Sequence, residues 1–545
     1  MGRILRFLAN PGSRPDVSQR APLIGSTDEA IAQYKTPFDG VQAINSDSDE
    51  SSVGELGDVE VKKEGCIITS HGFTGLQKGL SDRLLDRVVL FAGSQIVFFL
   101  MWVIIIIWIV IGIVYNAPEN WQVVMQDGQS LQSYIWDTLL MRQQLISAHD
   151  HVNVCAILRS RLRTFKRLCK SYNPTHTKEE EGDDTVESRT YCVESVPADI
   201  KGCLPVEGWY DRLSSFAGKI IGSLSFMIIF WTGIFVWIGC GALPLDAGNE
   251  PPYTGRLSGS NPELKKFSDR WQLYINTATA VVLLVCTMFL QNIRARHEKF
   301  ITKGLAAVFD IDQEIEQYLR AETGDVTTPN DVVTIHTKKR SIGEKGIDWY
   351  ADIIGTGIGI FIAAAAIGTW LGIGHLMDWN SDWWLIIGTY TGLIGFLDGF
   401  VLRQVYFRIV SHEQENYDTV AQEDLELFQS LGIHCPDELI VDHESNVKKT
   451  IPFKISLFIN NVCSSQWSVL GSIIIIVALI AIASGLHWST TGQLIANTPT
   501  MIIEAFFMIV LIQAHTWADQ RRRIDVSSLF ARRCILRSHV KGKRQ

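Results

Sequence analysis

Val97–Tyr115 reads VFFLMWVIIIIWIVIGIVY, an uninterrupted apolar run without a charged residue. A helix of that length crosses ~30 Å of hydrocarbon, so the run is a spanning segment. Composition alone does not decide the class, because 545 residues at 47% hydrophobic and 20% charged would also suit several soluble domains. Upstream of the run, Met1–Phe91 is polar, with an acidic stretch around Asp47–Glu50 and no apolar segment resembling a signal peptide. It reads as a cytosolic tail. Gly2 lacks the Ser or Thr at position 6 that myristoylation requires, since Arg6 stands there.

Ten cysteines are scattered without a Cys-x-x-Cys pair, which points away from structural zinc and from a disulfide framework. The net charge is −9, and basic residues gather at helix ends rather than in one patch, which excludes a nucleic-acid partner.

Hydropathy marks spans near 97–115, 220–243, 273–291, 353–376, 384–402, 469–486 and 499–514. Self-comparison adds another. Asp86-Arg87-x-x-x-Phe91-Ala92-Gly93 recurs as Asp211-Arg212-x-x-x-Phe216-Ala217-Gly218. A second signal opens four helices: Trp121-Gln122, Trp271-Gln272, Trp383-Trp384 and Gly492-Gln493. In this register the weakly apolar stretch from Gln122 to Leu145 becomes a hidden span, polar because it faces protein rather than lipid.

The expected fold is therefore an all-α integral membrane protein with eight transmembrane helices. They form four two-helix repeats in the same orientation, pseudo-fourfold about the membrane normal. Gly355-x-x-x-Gly359 in the fifth helix predicts a close helix crossing.

Charge supports the even count. Arg159, Arg161, Arg163, Lys166 and Arg167, then Arg294, Arg296 and Lys299, then Arg403 and Arg408, then Arg521–Arg523 all follow even helices. The positive-inside rule puts both termini in the cytosol, with only Arg256–Arg270 running against it. The expected organisation is a mostly disordered tail over 1–80, repeat 1 over 81–170 and a linker over 171–206. Repeat 2 covers 207–320, a linker 321–345, repeat 3 346–432, a linker 433–450, and repeat 4 with the C-terminal tail 451–545.

Positions i, i+7, i+11 and i+18 of a helix return to within about 20° of one line. Taken from the aligned residue of each even helix, that stripe reads Gln126, Ser133, Asp137, Gln144; Asn276, Leu283, Thr287, Arg294; Gly388, Gly395, Gly399, Tyr406; and Asn497, Glu504, Met508, His515. Asp398 lies just off the third stripe. A mid-helix acid costs ~2.5–3.5 kcal/mol on insertion scales, so Asp137, Asp398 and Glu504 face a cavity or a partner, and inward carboxylates attract cations. Simple pairing is the alternative, most of all for Asp137 with Arg142 nearby.

A second ring is expected at the cytosolic ends: His149-Asp150, His297-Glu298, His412-Glu413 and Asp519-Gln520, with Gln143, Gln291, Tyr406 and Gln513 above them. Imidazole with carboxylate suits Fe(II), Zn(II) or Mn(II). Charges that merely mark helix exits would look the same.

At these residues the chain resembles the fungal low-affinity iron(II) permease family, from end to end. Met1-Gly2-Arg3, Phe7-Leu8, Asn10-Pro11-Gly12 and Arg14-Pro15-Asp16-Val17 are similar to that family's N-terminus. Trp271-Gln272-Leu273, Asn276-Thr277 and Phe289-Leu290-Gln291-Asn292 resemble the core motif of its small bacterial relatives. Those relatives carry an acid six residues beyond the Gln. Asp519 keeps it in the fourth repeat, whereas His297 and then Glu298 replace it in the second.

The resemblance implies low-affinity uptake of Fe(II), with overlap to Zn(II), Cu and Mn(II), at the fungal plasma membrane. The expected protein is not an enzyme and carries no cofactor. Its partners are the cations it moves and the bilayer, and there is no Walker loop. Two other classes stay open: a haem-bearing membrane oxidoreductase, which would need histidines inside adjacent spans, and a scaffold or receptor without transport.

Overall fold

The computed structural model describes residues 16–23, 59–61, 67–69, 80–116, 118–172, 208–242, 267, 269–436, 439 and 451–542. Within them, a short helix, an apolar helix and a long helix follow one another four times. The first unit is α1 (Leu80–Ala92), α2 (Gln95–Val114) and α3 (Glu119–Tyr172); the second is α4 (Trp209–Ile221), α5 (Leu224–Cys240) and α6 (Asp269–Thr323). The third is α7 (Ile342–Ile354), α8 (Gly357–Gly374) and α9 (Ser381–Leu431); the fourth is α10 (Ile451–Cys463), α11 (Gln466–Gly485) and α12 (Thr490–Gly542).

The short helices are elements that the sequence reading merged into their neighbours. Each has 13 residues and ends at a small pair: Gly93-Ser94, Gly222-Ser223, Gly355-Thr356 or Ser464-Ser465. Ser94, Ser223 and Ser465 cap the apolar helix that follows by accepting from its third backbone N–H. Across the second of these breaks the chain bends by 52°. Expected spans starting at 220 and 353 therefore straddle a joint.

The joint also corrects the repeat alignment by one helical turn. With Gly93 matched to Gly222, Asp82-Arg83-Leu84 pairs with Asp211-Arg212-Leu213, and Asp86 has no counterpart there. The two Asp-Arg-x-x-x-Phe-Ala-Gly strings are thus not in register. Arg142 makes use of both acids: it donates to Asp86 Oδ1 at 2.7 Å and to the Asp82 backbone at 3.0 Å. Arg296 repeats the bond to the Asp211 backbone at 2.7 Å.

Among the described residues six helices are long and apolar enough to cross a membrane, and the bent α4–α5 pair makes a seventh if it is one span. α3 does not qualify on composition. The apolar helices are outer elements, with only 17–22% of the spanning windows of α2, α8 and α11 buried, against 61–78% for α6, α9 and α12. The long helices form a closed four-membered bundle in the order α3, α6, α12, α9, so the second and fourth units are neighbours and the third closes on the first. Each apolar helix leans on the long helix of the next unit around that circuit: α2 on α6, α5 on α12, α11 on α9 and α8 on α3. At 1.5 Å per residue a 54-residue helix is ~80 Å long, far more than a bilayer core requires. In α6, α9 and α12 only the first half is apolar; the second halves of all four long helices continue as a polar-surfaced bundle with its own buried core, including Leu158, Phe165, Leu305, Phe428 and Leu536.

Tryptophan fastens three of the hairpins. Trp108 and Trp121 stack with ring centroids 3.9 Å apart, and each indole N–H donates to the other's backbone carbonyl, at 3.2 and 2.8 Å. Trp237 with Trp271 and Trp370 with Trp383 repeat this clasp. A glycine four residues past the first tryptophan leaves room for an indole: Gly112, Gly241 and Gly374 would each clash with one if they carried a β-carbon. In the fourth unit Leu479 and Gly492 stand in the clasp positions.

Two segments differ from the expectation of a disordered tail and a flexible linker. β1 (Val17–Gln19) pairs antiparallel with β4 (Val333–Ile335), and a second short ladder joins β2 (Val59–Val61) to β3 (Ile67–Thr69). Asn330 is buried and donates to the carbonyls of Ala21 and Pro22, tying the residue 321–345 segment to the N-terminal strand. The expected linker 171–206 and most of 433–450 lie outside the described residues.

Candidate functional site

The four predicted stripes all face the bundle interior. Gln126, Ser133, Asp137 and Gln144 are buried, as are Asn276, Leu283, Thr287 and Arg294, then Tyr406, then Asn497, Glu504, Met508 and His515. Glycines on α9 make the space: a β-carbon at Gly392 would meet Thr500 Oγ1 at 3.2 Å, and one at Gly395 would sit 2.7 Å from Glu504 Oε2. Polar side chains of α12 therefore fill room that α9 leaves empty.

The three intramembrane acids differ in their partners. Glu504 accepts from Ser133 Oγ at 3.2 Å, across the bundle axis. Asp398 accepts from the Tyr350 hydroxyl at 2.7 Å. Asp137 is fully buried, and neither of its oxygens has a hydrogen-bond partner. Its charged neighbours are Glu504 and Asp398, and none of the three acids is ion-paired among the described residues. Arg142, the expected partner for Asp137, points instead to Asp86, Asp82 and the Gly355 carbonyl. Gly355 is also where α7 meets α3: its added β-carbon would lie 3.1 Å from Leu145 Cδ1, whereas Gly359 packs on its own chain.

Above the acids, Gln126 donates to Thr277 Oγ1 at 3.0 Å, while the amide of Asn276 and the Asn497 oxygen lack partners. Asp127, missed by the stripe, is buried beside Asn497 at Gly388. Below them the amides of Gln144 and Gln291 are likewise buried without partners, and the Tyr406 and His515 rings lie 3.7 Å apart. A buried polar group without a hydrogen bond costs about 1–3 kcal/mol. This column thus holds several buried polar groups that find no hydrogen-bond partner among the described residues.

The expected ring of His–acid pairs does not form one ring. His149 and His412 line a cavity of about 310 Å³ between α3 and α9. His297 pairs with Asp519 at 3.2 Å beside a smaller cavity between α6 and α12. Gln513 turns away from the axis to Asn460 and Ser456. Gln143 is half-buried with an unpartnered oxygen, and Asp150 is likewise half-buried on α3.

Glu413 and Glu298 do converge, on a residue the ring omitted. His151 Nδ1 lies 3.2 Å from Glu413 and His151 Nε2 3.8 Å from Glu298, while Arg522 donates to Glu413 at 2.5 Å. Continuing the stripe by seven residues beyond its last position lands on His151, Ile301, Glu413 and Arg522. Burial, then the Lys338 ammonium, lowers His412 from its ordinary pKa and keeps it a neutral, ligand-competent imidazole.

Eleven residues further the stripe reaches Leu162, Asp312, Asp424 and Arg533. Arg533 is fully buried, with Asp312 at 2.6 Å and Asp424 on its other side. This ion layer closes the polar end of the bundle. Among the described residues, no three His, Cys, Asp or Glu side chains group closely enough to hold a metal together. Single ligands spaced along a path are what conduction requires, because a closed cage would retain the ion.

Residues 453–541 match the low affinity iron permease family. Over its full length the chain is 59% identical to the low-affinity Fe(2+) transport protein of Saccharomyces cerevisiae, covering 98% of that protein. The chain belongs to the low affinity iron permease family. The permease is also 38% identical, over 99% of its length and 86% of the relative's, to the low-affinity iron/zinc ion transport protein of Schizosaccharomyces pombe. No solved structure matches the permease.

Proposed function

We propose that this permease imports Fe(II) with low affinity at the plasma membrane, with both termini cytosolic, and that Zn(II), Cu and Mn(II) share the route. Its eight spans are α2, α5, α8 and α11 with the first halves of the four long helices, arranged pseudo-fourfold about the membrane normal. The closed circuit of long helices, with each apolar helix displaced onto the next, supports that arrangement. It also accommodates α3, whose polar residues face protein rather than lipid.

One observation carries the reading: Asp137 is buried at mid-span with both oxygens unpartnered, next to Glu504 and Asp398. When ionised, such a carboxylate needs a cation beside it, and no Lys, Arg or His pairs with it among the described residues. Asn276, Asn497, Gln144 and Gln291 supply neutral oxygens above and below it. A potential of ~100 mV contributes roughly 4.6 kcal/mol to moving a divalent ion inward, so no other energy source is required.

Radiolabelled Fe(II) uptake into proteoliposomes tests this with Asp137→Asn, Asp398→Asn and Glu504→Gln. Flux should fall about tenfold or more in Asp137→Asn and Glu504→Gln. Wild-type flux in all three would remove the axial path, and no flux in the wild type would favour a non-transporting scaffold.

A further inference from the structure

Resting on that axial reading, we propose that the cation leaves the bundle sideways, through the cavity between α3 and α9. Glu413 is the carboxylate that hands it over, and Arg522 is a resident counter-cation that the cargo displaces.

The axis cannot serve as the exit. Below the membrane it is filled by the side chains of Leu158, Phe165, Phe428 and Leu536 and by the Arg533–Asp312–Asp424 layer, all buried. Passing an ion there would separate a guanidinium from two carboxylates in a dry core, and a buried pair is strongly destabilised when broken. Arg522, at the level of Glu413 just above this plug, also repels a cation moving straight down.

At that level a cavity lies along the seam of α3 and α9. The 310 Å³ cavity is lined by Leu145, Ala148 and His149 on one side and Ser411, His412 and Glu413 on the other. Glu413 belongs to both places: it lines the cavity, and it pairs with His151 and Arg522 on the axis. The buried Nδ1 of His412 has no partner. At the rim Arg340 and Arg408 share Asp348 and Lys338 pairs with Glu415, and Lys339 also lines the cavity. The face between α6 and α12 offers no equivalent door: its cavity is about 130 Å³ and is crossed by His297, Asp519 and Arg523.

The test uses the full chain in proteoliposomes, with Fe(II) flux and a melting temperature for every variant. Ala148→Trp should reduce flux about tenfold, while Thr516→Trp, in the α6/α12 cavity, should change it less than twofold. Because a bulky replacement can disturb folding, Ala148→Cys is also treated after folding with a cationic, membrane-impermeant thiol reagent, the wild type treated alike. Block of the cysteine variant alone is expected. Arg522→Gln should shift the half-saturating Fe(II) concentration. Normal flux in both modified Ala148 proteins, with Glu504→Gln inactive, overturns the lateral exit and leaves the axial reading intact. If Glu504→Gln is active while modified Ala148→Cys is blocked, the exit stands and the mid-membrane path falls.

Discussion

Glu504 on α12 reaches across the bundle axis to accept a hydrogen bond from Ser133 on α3, the long helix diagonally opposite, at 3.2 Å. It does so over Gly395, where a β-carbon would sit 2.7 Å from Glu504 Oε2. Gly395→Ala should displace the carboxylate and lower Fe(II) flux severalfold, and Gly395→Leu should abolish it, with the melting temperature of the alanine variant little changed. Flux assays on the pair check the steric order; equal flux in both would mean that Glu504 is not in the path.

Asp137→Asn separates a functional acid from a structural one. A paired acid loses stability when neutralised, whereas Asp137 has no partner to lose. The expected outcome is an unchanged or higher melting temperature together with at least about tenfold lower flux. Thermal unfolding in detergent beside the transport assay reads both.

Gly112→Ala should be destabilising beyond a helix-surface change, because its β-carbon would overlap the Trp121 indole. Trp121→Phe removes the donor of a 2.8 Å bond and should cost about 1 kcal/mol. Gly492→Ala, in the unit that has no clasp, should cost less than Gly112→Ala. Melting temperatures of the three variants rank them.

Arg533→Leu strands the buried Asp312 carboxylate, while Arg532 still holds Asp424, and should cost about 3–5 kcal/mol. Replacing Arg533 and Asp312 together by leucine should recover most of that loss. Chemical unfolding of the single and double variants decides the matter; equal losses would show that the layer acts by something other than charge balance.

Burial, then the Arg523 guanidinium, holds His297 well below its ordinary pKa of 6.5. The unfolded chain then takes up a proton that the folded one refuses, so stability falls as the pH drops below about 6.5. His297→Gln should flatten the dependence of melting temperature on pH between about 7.5 and 5.5.

The interior stripes were legible because a helical period survives any tertiary arrangement: four residues at intervals of 7, 11 and 18 must share a face. Asp137, Glu504 and Asn276 were found that way. The stripes stopped at the apparent membrane exit, so Arg522 and the Arg533 layer, which continue the same lines, were left out. The short helices were hidden because the apolar end of α7, Ile353-Ile354, runs into apolar α8 across only Gly355-Thr356. The tryptophan clasp escaped because its partners lie 13 residues apart in units one and three but 34 apart in unit two, where a longer connection intervenes. Neighbour order was beyond reach: no local signal says that unit two sits beside unit four.

The buried Arg533 layer also limits how the permease can move. Transporters that alternate by rocking require two halves free to tilt as rigid bodies. Here three of the long helices, α6, α9 and α12, are bolted together at their feet by opposite charges in a dry core, like the ribs of an umbrella held at the ferrule. A layer of that kind resists splaying of the feet, so motion during transport is expected at the upper ends of the ribs rather than there.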